Sequence, residues 1–205
     1  MLIGIVGFIG SGKGTVGSIL SEKYEFTQDS FAAPLKDAVA AIFGWDRTLL
    51  EGATPESRMW RELPDKFWSE KFGKPFSPRL ALQLMGTEAG RDVFHKDVWV
   101  TSLLKRSKGR DTVITDVRFK NEINLIKENN GIVVRVRRGE EPEWYTTALL
   151  ANRGYRHEME ELQKLNIHVS EWDWIGSPID YTISNDGSLG DLEKEIENFM
   201  LYYNR

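Results

Sequence analysis

Nine residues near the start of the chain have the types and spacing that bind phosphate. Residues 7–15 read GFIGSGKGT and directly follow the apolar run of residues 1–6. Glycines let the backbone curl so that successive N–H groups point into one hollow, and the N-terminus of a following helix adds positive charge. A lysine in the position of Lys13 reaches the β and γ phosphates of a nucleotide. The segment therefore predicts a P-loop between a strand and a helix; a glycine-rich turn without a ligand is the alternative.

The P-loop departs from the general pattern at one position. Where that pattern has Ser or Thr directly after the lysine, this chain has Gly14, and Thr15 comes one place later. This form resembles the P-loop of nucleoside monophosphate kinases such as adenylate kinase more than that of GTPase switches. The difference leaves two roles open for Thr15, as a direct Mg²⁺ ligand or as a residue that only binds phosphate.

The segments around the loop predict an α/β fold. Short apolar runs typical of buried strands occupy residues 1–6, 112–116, 132–136 and 181–184, and helical patterns lie between them. Residues 45–78 differ, because six tryptophans and phenylalanines are interspersed with four prolines. These aromatic side chains either stack on a base or pack under a long loop.

Composition limits the classes of function. With 205 residues, 40 % of them hydrophobic, the chain has enough material for one core with a small inserted subdomain. A formal charge of −4 and a pI near 5.5 argue against nucleic-acid binding, so we expect a local group of arginines to bind the phosphates. No cysteine is present, which excludes disulfides and thiolate metal sites. No apolar run approaches the roughly 20 residues of a membrane span, and the chain opens directly on a strand. We therefore expect a cytoplasmic protein without a membrane partner.

A carboxylate and several cations follow the predicted strands. Asp116 ends the run of residues 112–116, where ligands of open α/β sheets bind, and it is expected to hold Mg²⁺ or its waters. The alternative is that Asp116 only caps the next helix. Arg118 and Arg138 are expected to neutralise charge on a transferred phosphoryl group. The alternative is that the arginines of this segment are ordinary surface residues whose charge is neutralised by nearby glutamates.

Five segments together resemble the deoxynucleoside monophosphate kinase family of T-even bacteriophages. They are the P-loop, RLALQLMGTE at residues 79–88, TDVR at 115–118, HVSE at 168–171 and SNDGSL at 184–189. The resemblance implies conversion of deoxynucleoside 5′-monophosphates to diphosphates with ATP and Mg²⁺. It also implies a P-loop NTPase-type parallel sheet flanked by helices, with a helical substrate-binding insert and a lid. The expected boundaries are a core of residues 1–44, 97–136 and 180–205, an insert of about 45–96 and a lid of about 137–170.

The same resemblance implies which residues form the site. The expected ATP-binding residues are Gly10, Ser11, Gly12, Lys13, Gly14 and Thr15, with Asn185, Gly187 and Ser188 in a turn near adenine. The expected monophosphate pocket contains Arg79, Gln83 and Thr87, to which we add Lys36, Gly86, Arg91 and Trp99. Asp116 and Arg118 are expected between the two nucleotides, as substrate-binding and catalytic residues. Lys13 and Arg138 complete the catalytic set, and the expected metal ligands are Thr15 and Asp116.

Other functions compete with this interpretation. A kinase of dephospho-CoA or of ribonucleotides fits the same P-loop, and crowding of the 2′ position by Trp99 would favour a deoxyribose. Lys36 is either an exposed lysine or a group held for an anion, since a cation in a first helical turn is opposed by the helix dipole. A regulatory nucleotide switch is disfavoured because the chain lacks the Asn-Lys-x-Asp guanine motif. The seven tryptophans fit a homodimer interface as well as a core. A phage-encoded protein of this kind would act in the host cytoplasm.

Overall fold

The structure is a computed structural model that describes residues 1–203. The chain forms two compact units, one of Met1–Ser30 with the chain from Ser107 onward, the other of Phe31–Arg106. We call them the sheet unit and the helical unit. The helical unit begins before and ends after the expected insert of residues 45–96. Asn204 and Arg205, which belong to the expected core, lie outside the described residues.

A five-stranded parallel sheet forms the centre of the sheet unit. Its strand order is β2-β3-β1-β4-β5, and every neighbouring pair is parallel. The strands are β1 (Leu2–Val6), β2 (Thr27–Asp29), β3 (Thr112–Ile114), β4 (Ile132–Arg137) and β5 (Tyr181–Ser184). The helices of this unit are α1 (Lys13–Tyr24), α8 (Lys120–Glu128), α9 (Tyr145–Asn152), α10 (Arg156–Lys164), α11 (Val169–Trp172) and α12 (Leu189–Tyr203). The predicted class, a parallel sheet flanked by helices, is confirmed.

Alternating side chains of β1 explain how helices cover both faces of the sheet. Successive strand residues point to opposite faces. Ile3 and Ile5 are fully buried in a core that includes Leu20 of α1 and Phe199 of α12. Gly4 faces α8, where a Cβ would lie 2.4 Å from Cδ1 of Ile126. Both faces are therefore apolar and covered, as parallel strands require.

The third strand is shorter than the sequence predicts. β3 ends at Ile114, which pairs with Gly4 on one side and with Asp29 on the other. Thr115 and Asp116 lie beyond this last ladder pair, in the connection that leads to α8. Asp116 is thus carried by a loop at the carboxyl end of β3 and not by the strand itself.

The helical unit is built from short helices with polar caps. Its elements are α2 (Ala33–Phe43), α3 (Arg47–Glu51), α4 (Pro55–Glu62), α5 (Lys66–Phe72), α6 (Pro78–Leu84), a π-helix (Met85–Phe94) and most of α7 (Val98–Ser107). Asp46, Thr54, Asp65 and Ser77 each accept a backbone N–H at a helix N-terminus. Such caps stabilise helices that are too short to form by propensity alone.

Aromatic rings form the centre of the helical unit. Phe43 stacks on Trp45 at a centroid distance of 4.7 Å and meets Trp68 edge-on at 5.1 Å. Phe76 is buried and lies 5.2 Å from Phe43. Both indole N–H groups are satisfied, from Trp45 to Asp65 and from Trp68 to the Phe43 carbonyl. Of the two uses expected for these aromatics, packing is the one observed for these rings.

The segment expected as a lid includes helices that are tied to the rest of the sheet unit. The Asn152 amide at the end of α9 donates to the carbonyl oxygens of Trp172, Asp173 and Ile175, at 2.9, 3.2 and 2.7 Å. Its Oδ1 accepts from Nζ of Lys120 at 2.8 Å. This side chain therefore joins α9 to α8 and to the chain after α11. Within residues 1–203, none of the helices has the length and apolar character that crossing a membrane requires.

Replacing Asn152 tests this junction. In Asn152→Ala the Trp172, Asp173 and Ile175 carbonyl oxygens lose the hydrogen bonds from this amide, and we expect the free energy of unfolding to fall by about 1–3 kcal/mol. Asn124→Ala, on the exposed face of α8, is the matched control and should change it by less than about 0.5 kcal/mol. Urea unfolding followed by circular dichroism measures both. Equal stabilities of the two variants would contradict the assignment.

Candidate active site

The P-loop has the conformation that its glycines allow. Gly7 has φ +146°, and a Cβ there would lie 2.4 Å from the Val136 carbonyl oxygen. Gly12 has φ +103°, and a Cβ would lie 2.3 Å from Nδ2 of Asn185. At both positions the backbone has a positive φ and another segment of the same chain comes close. Only glycine accommodates both conditions without strain. The loop leads into α1 at Lys13, whose first turn carries no acidic residue, so the helix N-terminus is available to an anion.

Lys13 is folded over its own loop. Its Nζ donates to the carbonyl oxygens of Gly7 at 2.7 Å and Phe8 at 2.8 Å. The pKa of Lys13 is lowered to about 8, first by burial and then by the charge of Arg118, and the charge of Glu171 opposes the shift. A buried ammonium beside a guanidinium is an unfavourable arrangement that a bound polyanion relieves.

The turn after β5 is attached to the P-loop. Asn185 donates through Nδ2 to the Ser11 carbonyl at 2.8 Å, and its own N–H donates to the Arg137 carbonyl at 2.8 Å. Ser188 binds Asp191 through both its N–H and its hydroxyl, at 3.0 and 2.6 Å. The structure thus brings the sequence-predicted Asn185, which is 174 residues from Ser11, to the loop.

The two expected metal ligands, Thr15 and Asp116, lie on α1 and on the loop after β3. Thr15 is exposed in the first turn of α1, and α1 approaches β3 so closely that a Cβ on Gly17 would lie 2.5 Å from Cγ2 of Thr115. Among residues 1–203, no group of three or more His, Cys, Asp or Glu side chains has the spacing of a metal site. One hydroxyl and one carboxylate suit an ion that takes its other ligands from phosphates and water.

Arg118 lies on the Lys13 side of the site and is fixed at both ends. Its N–H and that of Phe119 donate to Oε2 of the buried Glu122, at 2.8 and 3.0 Å. Its Nη1 lies 3.4 Å from Oε1 of Glu171. The charge of Arg118 acts on Lys13, so the structure groups these two predicted residues.

Arg138 directly follows β4 and lies near the turn that contains Asn185 and Asp186. It is exposed, and its charge and that of Arg137 help to hold the pKa of Asp186 below its usual value. The main causes of that shift are hydrogen bonds from the Gly139 N–H and the Ser184 hydroxyl. Neutralisation by a glutamate, the alternative for this arginine-rich segment, is observed for Arg135, which binds Glu141.

Five of the predicted monophosphate residues, Arg79, Gln83, Gly86, Thr87 and Arg91, lie in the helical unit on one continuous helical segment. α6 passes directly into the π-helix, and four exposed residues of the predicted pocket recur at every fourth position. They are Arg79, Gln83, Thr87 and Arg91. A π-helix of ten residues is rare, and π-helical turns are frequent at functional sites.

Trp99 and Lys36 have defined partners within the same unit. The Trp99 indole donates to the Gly86 carbonyl at 2.9 Å, and its ring is so close to Gly90 that a Cβ there would lie 2.5 Å away. Nζ of Lys36 lies 2.6 Å from Glu51, which also binds Arg47 at 2.7 Å. This ion pair with Glu51 was not one of the two uses expected for Lys36, which were an exposed lysine and a group held for an anion.

Sequence reasoning did not identify Arg61 and Glu171. Arg61 is near Arg79, whose charge adds to burial in lowering the Arg61 pKa, and its buried Nε has no hydrogen-bond partner. Only proximity in space links Arg61 to Arg79, so no local pattern pointed to it. Glu171 is the last residue of the HVSE segment. That segment contributed to the family resemblance but did not indicate what Glu171 does.

Comparisons with known proteins identify relatives of the chain in sequence. No protein-family model matches the chain. In sequence the chain is 34 % identical to a protein named deoxynucleotide monophosphate kinase of Acanthamoeba polyphaga mimivirus, over 67 % of this chain and 74 % of that protein. It is 30 % identical to the deoxynucleoside-5′-monophosphate kinase of Escherichia phage T5, over 63 % of this chain and 73 % of that one.

Solved structures are more distant. The shikimate kinase of Aquifex aeolicus superposes with a TM-score of 0.45 at 16 % identity, over 100 % of this chain and 96 % of that one. The two viral relatives carry the assignment, because each is at least 30 % identical and is matched over more than two thirds of its length. The chain therefore belongs to the deoxynucleoside monophosphate kinase family.

Proposed function

We propose that the protein transfers the γ-phosphoryl group of ATP to a deoxynucleoside 5′-monophosphate and releases ADP and the diphosphate. The observation that carries the proposal is the position of the Lys13 ammonium, which the P-loop encloses and which lies close enough to Arg118 to feel its positive charge. The names of the two viral relatives support the choice of acceptor. One relative is encoded by a phage, and we extend the proposal to action in the host cytoplasm.

The donor nucleotide would occupy the sheet unit. Its phosphates would lie against the amides of Gly10–Thr15, with Lys13 turning from the Gly7 and Phe8 carbonyls to the β and γ phosphates. Asn185 holds its turn against the P-loop, which supports adenine binding near Gly187 and Ser188. Thr15 and Asp116 would hold Mg²⁺, which when bound supplies positive charge to the β and γ phosphates.

Phosphoryl transfer of this kind needs no general base, because the attacking group is already a phosphate oxyanion. The protein then contributes position and positive charge. Lys13 and Arg118 would neutralise the transferred group, since the structure holds both charges together. Arg138 would act from the side of the Asn185 turn, where its charge reaches Asp186.

The acceptor would bind to the helical unit. Arg79 and the neighbouring Arg61 are two cations close enough to lower the pKa of Arg61, as expected of groups that hold a phosphate. Gln83, Gly86, Thr87 and Arg91 continue the same helical segment. Trp99 packs on that segment and would take part in selection of the sugar. Lys36 would meet the phosphate only by leaving its ion pair with Glu51.

The activity test uses the purified full chain with Mg·ATP and each ribo- and deoxynucleoside monophosphate in turn. We expect ADP release to be stimulated by deoxynucleotides, and Lys13→Ala to lower kcat by at least about 10²-fold through loss of a charge in the transition state. Lys108→Ala, an exposed lysine after α7, should keep wild-type turnover. Near-normal kcat in Lys13→Ala would contradict the mechanism, and stimulation by other acceptors alone would contradict the substrate class.

ATP affinity should depend on pH through Lys13. Its pKa is about 8 in the free protein, and bound phosphates raise it, so affinity is full well below pH 8 and declines as the pH rises through 8. Between pH 7 and pH 9 we expect the Kd for ATP to increase about tenfold. Calorimetric titration at the two pH values measures the change, and Lys13→Ala should show almost none. An equally steep change in that variant would assign the effect to another group.

Removing the Arg79 side chain should weaken binding of the monophosphate acceptor and leave binding of ATP unchanged. Loss of a charged hydrogen bond costs about 1.5–3 kcal/mol, so Arg79→Ala should increase KM for the monophosphate about 10- to 100-fold. KM for ATP should stay within about twofold. Steady-state kinetics with each substrate varied gives both constants, with Lys74→Ala, an exposed cation of the same unit, as control. A parallel rise of both KM values would argue against a dedicated acceptor site.

A further inference from the structure

Glu171 contacts the Arg118 guanidinium from a distant part of the chain. The two residues are 53 positions apart, and Oε1 of Glu171 lies 3.4 Å from Nη1 of Arg118. The Glu171 side chain is 24 % exposed and that of Arg118 is 45 % exposed. The contact therefore lies at the edge of the site, where a phosphate can still reach Arg118.

Glu171 is held by a rigid support. Its N–H donates to the His168 carbonyl at 2.9 Å, and its carbonyl accepts from the indole of the buried Trp174 at 3.0 Å. The Trp174 ring in turn packs 5.2 Å from that of Phe8, which belongs to the P-loop. Glu171 is thus fixed relative to the loop that would hold ATP.

Arg118 needs a support of this kind because of its length. The buried Glu122 fixes the backbone N–H of Arg118, but several rotatable bonds separate that point from the guanidinium. A carboxylate at one Nη leaves the other donors of the planar fork free to meet a phosphate in a defined orientation.

We propose that Glu171 is the positioning residue that orients the Arg118 guanidinium toward the transferred phosphoryl group. The proposal rests on the phosphoryl-transfer function proposed above and deepens it. Glu171 acts through Arg118 and does not touch substrate. Its negative charge also reaches Lys13, so its removal makes the P-loop more positive and does not weaken attraction for ATP.

These two effects give a distinctive kinetic result. In Glu171→Ala we expect kcat to fall about 10- to 100-fold, as for misplacement of a catalytic group, while KM for ATP does not increase. Glu171→Gln keeps a neutral acceptor oxygen and should lose less. Glu128→Ala, an exposed glutamate at the end of α8, is the matched control and should keep kcat within twofold. A kcat that is unchanged, or a KM for ATP that rises with the loss of kcat, would overturn the proposal.

A double-mutant cycle separates positioning from a structural role. If Glu171 works through Arg118, adding Glu171→Ala to Arg118→Ala should cause no further loss of kcat. An equal fold-loss in both backgrounds would overturn the proposal.

An NMR measurement needs no turnover. The Nε–Hε resonance of Arg118, identified by its disappearance in Arg118→Lys, should move in Glu171→Ala and stay in place in Glu128→Ala. If the wild-type protein phosphorylates no deoxynucleotide, the proposed function is contradicted. The contact between Glu171 and Arg118 is then tested by this resonance alone. An unmoved resonance would overturn the contact.

Discussion

The Lys13 ammonium is enclosed by carbonyl oxygens of its own loop and faces a second cation, Arg118. Burial of a charge is costly unless opposite charge compensates it, and here Glu171 compensates only in part. The free site is therefore electrostatically prepared for a polyanion. The other features of the sheet unit serve to keep these charges together when no ligand is bound.

The parallel sheet provides that support through the carboxyl ends of its strands. β1 leads into the P-loop, β3 into the segment of Asp116 and Arg118, and β5 into the turn of Asn185. Neighbouring parallel strands end at the same edge, so groups far apart in the chain become neighbours. Hydrogen bonds donated by the Asn185 amide and accepted by the Glu122 carboxylate then fix the loops that carry these groups.

The helical unit carries its cations, Arg61 and Arg79, on short helices that need stabilisation. Side-chain caps and a ring cluster around Phe43 stabilise helices of five to eleven residues. The change from α6 to a π-helix accompanies the close approach of the Trp99 ring to Gly90. A stiff core of this kind keeps Arg61 and Arg79 close in spite of their mutual repulsion.

The sequence by itself determined the features that depend on neighbouring residues. Glycine spacing predicted the P-loop, and apolar runs predicted β1, β3, β4 and β5 of the sheet. The end of β3 was misjudged, because it depends on where Gly4 and Asp29 stop pairing. Only the tertiary structure decided that Glu171 meets Arg118, that Arg61 lies near Arg79 and that Lys36 binds Glu51. The Lys36 and Glu171 contacts join residues 15 and 53 positions apart, and Arg61 and Arg79 belong to different helices. All three depend on how the strands and helices pack, which no local sequence pattern encodes.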